Sequence, residues 1–132
     1  MTHEVRITIR WRDIDAYGHV NNAVYLNFLE EARDRLVEDL FGSHAAWDFV
    51  LAHVGIDFRS ELKQSDGDVI VSCAVASLGR ASVRTREQIR KLDGTLAAEA
   101  ESVVVPLDRD KNKARPLTDE ERVVLEAELQ GA

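Results

Sequence analysis

Cysteine is nearly absent. Cys73 is the single one in a chain of 132 residues, so no intrachain disulfide can form and no companion thiolate stands ready for a metal site. Long apolar runs are missing too: none could cross a bilayer, and the opening Met-Thr-His-Glu-Val-Arg lacks the apolar core of a signal peptide. Together these absences predict a cytoplasmic protein with no membrane partner. Positive charge is short: 17 Lys and Arg against 24 Asp and Glu leave a formal net charge of −7. That argues against nucleic acid as a partner, because binding its backbone needs a basic surface. A small phosphorylated ligand stays compatible, since Arg80, Arg84, Arg86, Arg90 and Lys91 fall within one stretch. No His/Asp/Glu spacing suggests a metal, and no glycine-rich phosphate loop precedes a helix. Repeats, low-complexity tracts and linkers are likewise missing, so residues 1–132 read as one domain.

What remains is an ordinary globular balance, 45% apolar and 31% charged, in a chain long enough to bury a core. Val5 to Trp11 alternates apolar with polar, which predicts a half-buried strand. A turn-rich segment follows from Arg12 to Asn22. From Ala23 the period becomes helical: Tyr25, Phe28, Leu29, Ala32, Leu36 and Leu40 share one face, and Glu30, Glu31, Asp34, Arg35 and Glu38 the other. Gly42 is placed to stop that helix. Strands are predicted near Phe49–Ser60, Val69–Ser77, Ser82–Leu92 and Leu96–Val105, with turns at Gly67, Gly79 and Asp93-Gly94. Thr118-Asp119-Glu120-Glu121, after Pro116, is a capping-box pattern that opens a short C-terminal helix. One long helix with an apolar stripe and five antiparallel strands predict an α+β sheet wrapped around that helix. Five strands leave an edge open, and a second copy is a common cover, so a homodimer is expected.

The densest chemistry lies in D-I-D-A-Y-G-H-V-N-N-A-V-Y-L-N-F-L-E-E-A-R, Asp13 to Arg33. A carboxylate, small polar groups and a helix N-terminus stand within one span. Such a set can activate a nucleophile beside a dipole that stabilises negative charge, as acyl transfer requires. The residue types alone leave a plainer reading open: Asp15 as a turn residue, and Asn21 and Asn22 as helix caps.

The string D-x-D-x-x-G-H-V-N-N-x-x-Y-x-x-x-x-E-x-x-R after a short strand resembles the hot-dog-fold acyl-CoA thioesterases of the 4-hydroxybenzoyl-CoA thioesterase type. The element order and the Gly67-Asp68 and Gly79-Arg80-Ala81-Ser82 turns fit the same pattern, so the resemblance spans nearly the whole chain. It implies a hot-dog fold and hydrolysis of an acyl-CoA or acyl-carrier-protein thioester, with CoA as part of the substrate and no separate cofactor. Asp15 matches the catalytic aspartate, acting as nucleophile or general base. Asn22 matches the position whose main-chain N–H polarises the carbonyl. His19 is expected to orient the loop or touch substrate ahead of transferring a proton. Gly18, Asn21 and Tyr25 are expected beside the substrate, and Arg80 and Ser82 at the nucleotide end of CoA, with Arg59 and Lys63 weaker choices. Glu30, read as paired with Arg33, and Glu31, read as paired with Arg35, rank second for catalysis. A homodimer or homotetramer with pockets at the subunit contact is implied. The competing readings are a hot-dog hydratase and a non-catalytic acyl-thioester binder. The modest aromatic content, 6%, leans toward an aliphatic acyl chain.

Overall fold

The computed structural model describes residues 1–42 and 48–130. The chain runs β1 (Thr2–Thr8), α1 (Asn22–Phe41), β2 (Phe49–Phe58), β3 (Asp68–Leu78), β4 (Val83–Lys91), β5 (Leu96–Asp108), β6 (Lys113–Ala114) and α2 (Asp119–Gln130). All pairings are antiparallel, in the order β1-β3-β4-β5-β2, and the two-residue β6 extends the end of β5. Among the described residues no helix is long and apolar enough to cross a membrane.

Alternation decides which face meets α1. Val69, Val71, Cys73 and Val75 of β3, with Val83 and Ile89 of β4, are buried beneath the helix, which contributes Tyr25, Phe28, Leu29, Ala32, Leu36 and Val37. This is the predicted hot-dog architecture. Gly42 ends α1 as expected, with φ +92° and its N–H donating to the Glu38 carbonyl at 2.9 Å. The capping box also forms: the Glu121 N–H donates to Thr118 Oγ1 at 3.1 Å, and the Thr118 N–H to Glu121 Oε1 at 2.8 Å.

Four local predictions are corrected. The first strand lies three residues earlier than the Val5–Trp11 prediction, because His3 turns inward like an apolar residue while Trp11, 79% exposed, sits in a short 3-10 turn. Arg33 does not pair with Glu30 on the helix surface. It is buried and its guanidinium Nη1 donates to Glu87 Oε1 at 3.1 Å. No Glu31–Arg35 ion pair forms among the described residues; Glu31 is exposed. Leu40, assigned to the buried helix face, is only half-buried at its end.

The helix covers one half of the sheet. It packs on β1, β3 and β4, so β2 at the far edge keeps an open face: Leu51 is 46% and Phe58 48% exposed. The other edge is β1.

Candidate active site

The loop between β1 and α1 is tied down before it presents anything. Asp13 is buried, its Oδ2 accepting from the Arg10 N–H at 2.8 Å and its Oδ1 from Arg10 Nη2 at 3.0 Å. Burial opposes the charge, but the hydrogen bonds and charge of Arg10 outweigh it and hold the carboxyl below its usual range. Asp13 also takes the Asn21 N–H on its own carbonyl at 2.8 Å. Asp13 thereby orders the loop. The Val20 N–H donates to the Leu62 carbonyl at 2.7 Å, which fixes the loop to the segment after β2.

Asp15 stands at the head of a tight turn closed by the Ile14–Val20 bridge. Its N–H donates to the His19 carbonyl at 2.8 Å, and its carbonyl accepts the Gly18 N–H at 3.2 Å. Gly18 has φ +85°, a conformation that side chains resist, which explains the glycine. The Asp15 side chain is held by one oxygen only: Oδ1 accepts from the Tyr17 N–H at 2.9 Å and the His19 N–H at 3.2 Å. Oδ2 has no hydrogen-bond partner among the described residues. One oxygen thus fixes the carboxylate while the other is unengaged.

Asn21 caps α1, its Oδ1 accepting the Ala23 N–H at 2.9 Å. The Asn22 N–H, next along, makes no hydrogen bond among the described residues, as geometry demands of a donor in the first turn. It stands at the positive end of a twenty-residue helix. The two asparagines therefore divide the work: the side chain of the first closes the cap, and the backbone of the second stays unspent.

Asp15, Tyr17, His19, Asn22, Tyr25, Phe58, Arg59, Ser60 and Glu61 line one cavity of about 450 Å3. Tyr25 is buried, packs edge-on against Phe58 with ring centroids 4.9 Å apart, and its hydroxyl reaches the Ser60 carbonyl at 3.5 Å. Burial pushes its phenol pKa up, so it stays neutral. Asp15, His19, Asn22 and Tyr25, four of the predicted residues, thus meet at one place, with Gly18 and Asn21 shaping its backbone.

Two features were not legible beforehand. Glu61 faces His19, with Glu61 Oε2 3.2 Å from His19 Nε2. The Val20–Leu62 hydrogen bond, with the Tyr25 hydroxyl on the Ser60 carbonyl, holds it there and joins segments some forty positions apart. Arg59 lines the cavity but is engaged outward, to Glu99 at 2.7 Å and Asp57 at 3.7 Å.

Arg80 and Ser82 lie elsewhere. They occupy the β3–β4 turn at the far end of β3, an eleven-residue strand and so roughly 35 Å in length, while the Asp15 loop sits at its near end. That turn is braced by α2, through Arg122 Nη2 to the Gly79 carbonyl at 2.9 Å, and by the segment before α2, where the Leu117 N–H donates to the Arg80 carbonyl at 3.0 Å. Within one chain the two halves of the expected site do not meet. Glu30 and Glu31, exposed on α1 beyond its first two turns, also lie outside the cavity lining.

The family model for the thioesterase-like superfamily matches residues 9–127. The chain is 33% identical over 127 residues to the long-chain acyl-CoA thioesterase FadM of Escherichia coli K12, covering 93% of this chain and 96% of that one. It is 27% identical over 121 residues to the acyl-acyl carrier protein thioesterase ATL3 of Arabidopsis thaliana, covering 87% of this chain and 62% of that protein. Among solved structures, a thioesterase from Thermus thermophilus complexed with coenzyme A and Zn superposes with a TM-score of 0.87 at 32% identity, over 98% of this chain and 95% of that one. A family match over residues 9–127 and a relative 33% identical over nearly the whole of both chains make this chain a member of the thioesterase-like superfamily, a thioester hydrolase of the hot-dog fold.

Proposed function

We propose that the chain hydrolyses acyl-CoA thioesters to the free acid and CoA, with the reaction centre between Asp15 Oδ2 and the Asn22 N–H. The observation that carries this is the pairing of one uncommitted carboxylate oxygen with one uncommitted helix-start amide on the same cavity wall. The thioester carbonyl oxygen accepts from the Asn22 N–H. Asp15 Oδ2 then attacks the carbonyl carbon or takes a proton from an attacking water. Negative charge gathers on the oxygen as the tetrahedral species forms, and the amide and the helix dipole hold it. The C–S bond breaks and CoA leaves as the thiolate; in the water route it takes up the proton that Asp15 holds, and in the nucleophile route water then cleaves the acyl–Asp15 anhydride to the free acid and gives a proton to the thiolate. His19, held by Glu61, orients the loop and the thioester end of the substrate. The CoA form is favoured because the match to FadM runs almost end to end; an acyl-carrier-protein thioester is the other form a relative's name supports. A cytoplasmic setting fits either substrate.

The active form in this reading is a homodimer paired through β2. The apolar side chains that β2 leaves open need cover, and the edge has free backbone groups to pair. The Phe58 end of β2 borders the Asp15 cavity, and its Phe49 end lies level with the start of β4. Antiparallel pairing of two β2 edges about a two-fold axis reverses one copy against the other. It therefore brings the partner subunit's Arg80 turn to the end where Asp15 lies. Arg80 and Ser82 then serve the phosphates of a CoA whose thioester is cleaved in the other copy.

Release of free thiol from a panel of acyl-CoAs, with wild type and Asp15→Asn compared, tests the reading. Wild type is expected to turn over at least one chain length, and Asp15→Asn to lose about 10²–10⁴-fold in rate. Near-normal turnover by Asp15→Asn refutes the mechanism, and silence of wild type across the panel refutes the acyl-CoA substrate.

A further inference from the structure

Between α1 and the open inner face of β2 lie two clefts, the Asp15 cavity and one bordered by Arg33 and Leu51, and the exposed strip between them forms a groove whose floor changes character part-way along. On α1, Asn22, Leu26, Arg33 and Val37 follow one another along the edge that faces β2. Opposite stand the inward residues of β2, from Phe58 through Ile56 to Leu51. Leu26 is exposed, like Phe58 and Leu51, so the groove is open in one copy. Near the Asp15 cavity its floor is small and apolar: Ala98 and Ala100 of β5. The next inward position of β5 is Ser102, and there Arg33 reaches down.

Arg33 Nη1 donates to Glu87 Oε1 at 3.1 Å and to Ser102 Oγ at 3.2 Å, and Thr85 Oγ1 donates to the same Glu87 oxygen at 3.2 Å. Glu87 is 1% exposed, and its Oε2 has no partner among the described residues. Stability does not account for this group, since apolar residues of similar volume serve a core as well or better than a buried ion pair. Past Arg33 there is little room. The cavity that it borders with Leu36, Phe41 and Leu125 holds about 20 Å3, the space of one water. The cleft where the groove ends, about 70 Å3, is rimmed by Glu30, Arg33 and Asp34.

We propose that this Arg33–Glu87–Ser102 cluster is a polar stop that limits the acyl chain to medium length. The inference rests on the acyl-CoA reading above. An apolar chain that follows the groove from a carbonyl at Asn22 reaches Arg33 after eleven helical residues, about 16 Å, which an extended chain of about thirteen carbons spans. A longer chain must press methylene groups against a buried guanidinium and carboxylate that are already paired and offer it no apolar contact.

The test is kcat/KM from thiol release with butyryl-, octanoyl-, dodecanoyl- and palmitoyl-CoA. Wild type is expected to favour octanoyl or dodecanoyl and to drop about tenfold or more at palmitoyl. The double substitution R33A/E87A removes both charges and vacates the space their side chains fill, and should raise the palmitoyl-to-dodecanoyl ratio about tenfold. Ala100→Leu fills the floor before the stop and should lower the dodecanoyl-to-butyryl ratio by a similar factor. Should the double variant fail to fold by circular dichroism, Ala100→Leu decides alone. A wild-type profile that prefers palmitoyl, or ratios that do not move in the folded variants, overturns the stop and leaves the hydrolase standing. Absence of thiol release from every chain length overturns the hydrolase reading, and the stop with it.

Discussion

His3 should make the stability of this protein depend on pH in an unusual direction. The ring is 8% exposed on β1, with Nδ1 2.8 Å from Asp39 Oδ2 of α1 and Nε2 2.5 Å from Glu128 Oε1 of α2. The Met1 amino group donates to the Glu128 carbonyl at 3.2 Å and completes the clamp. With a carboxylate at each nitrogen, only the imidazolium can donate to both. Burial works against that charge, but the hydrogen bonds and charges of Glu128 and Asp39 outweigh it, so the pKa is raised above its ordinary 6.5. A raised folded-state pKa contributes stability that is complete below the unfolded value and is lost as pH rises through the folded one. In His3→Gln the buried Glu128 arm falls from a charge-assisted to a neutral hydrogen bond, about 1–2 kcal/mol. The Asp39 arm, nearly half exposed, adds less than about 0.5 kcal/mol. A loss of about 2 kcal/mol corresponds to roughly 6–8 °C in Tm for a chain of this size. Thermal melts of both proteins from about pH 5.5 upward keep most carboxylates charged. Acid effects of Asp13, Asp68, Asp93 and Glu121, whose pKa values are lowered, cancel in the difference. The Tm gap between the two proteins should be widest at the acidic end and shrink as pH rises. A constant gap, or one that widens with pH, refutes the reasoning.

Two further outcomes follow from the loop and the turn. Gly18→Ala meets no atom within 4 Å, so its cost is the left-handed backbone alone, about 1–2 kcal/mol; a melt should show a lower Tm and the thiol assay a slower rate, whereas an unchanged Tm would mean that the turn is not held at this φ. Arg80→Ala should raise KM for acyl-CoA about tenfold at nearly constant kcat, the worth of one charge-assisted contact. The same substitution should leave acyl-pantetheine, which lacks the phosphates, unaffected, and an equal loss on both substrates would take Arg80 off the nucleotide.

The parts of this protein that were legible in the sequence are those set by local rules. Strand alternation, the helical stripe, the capping box at Thr118–Glu121 and the Gly42 stop all depend on neighbours within a few positions, and nearly all stand where the pattern put them. The Asp15–Asn22 arrangement is also local, since a turn closed by Gly18 and a cap made by Asn21 fix it from within. What escaped notice involves partners far apart in the chain. Glu61 meets His19 because contacts such as the Val20 N–H on the Leu62 carbonyl join the loop to the segment after β2. His3 looked like a polar residue ahead of a strand until α1 and α2 each supplied a carboxylate. Arg33 is the sharpest case: its helix position is compatible with either a buried or a surface role, and charge alone argued for the surface. Only β4 and β5, more than fifty positions later, supply the acceptors that make its burial tolerable. A charged residue that defeats the hydrophobic pattern in this way carries a cost, so these long-range polar contacts are where functional constraint should be sought first. On that argument Arg33 and Glu87, silent in the sequence, are better guides to the acyl chain than the aromatic content that suggested an aliphatic one.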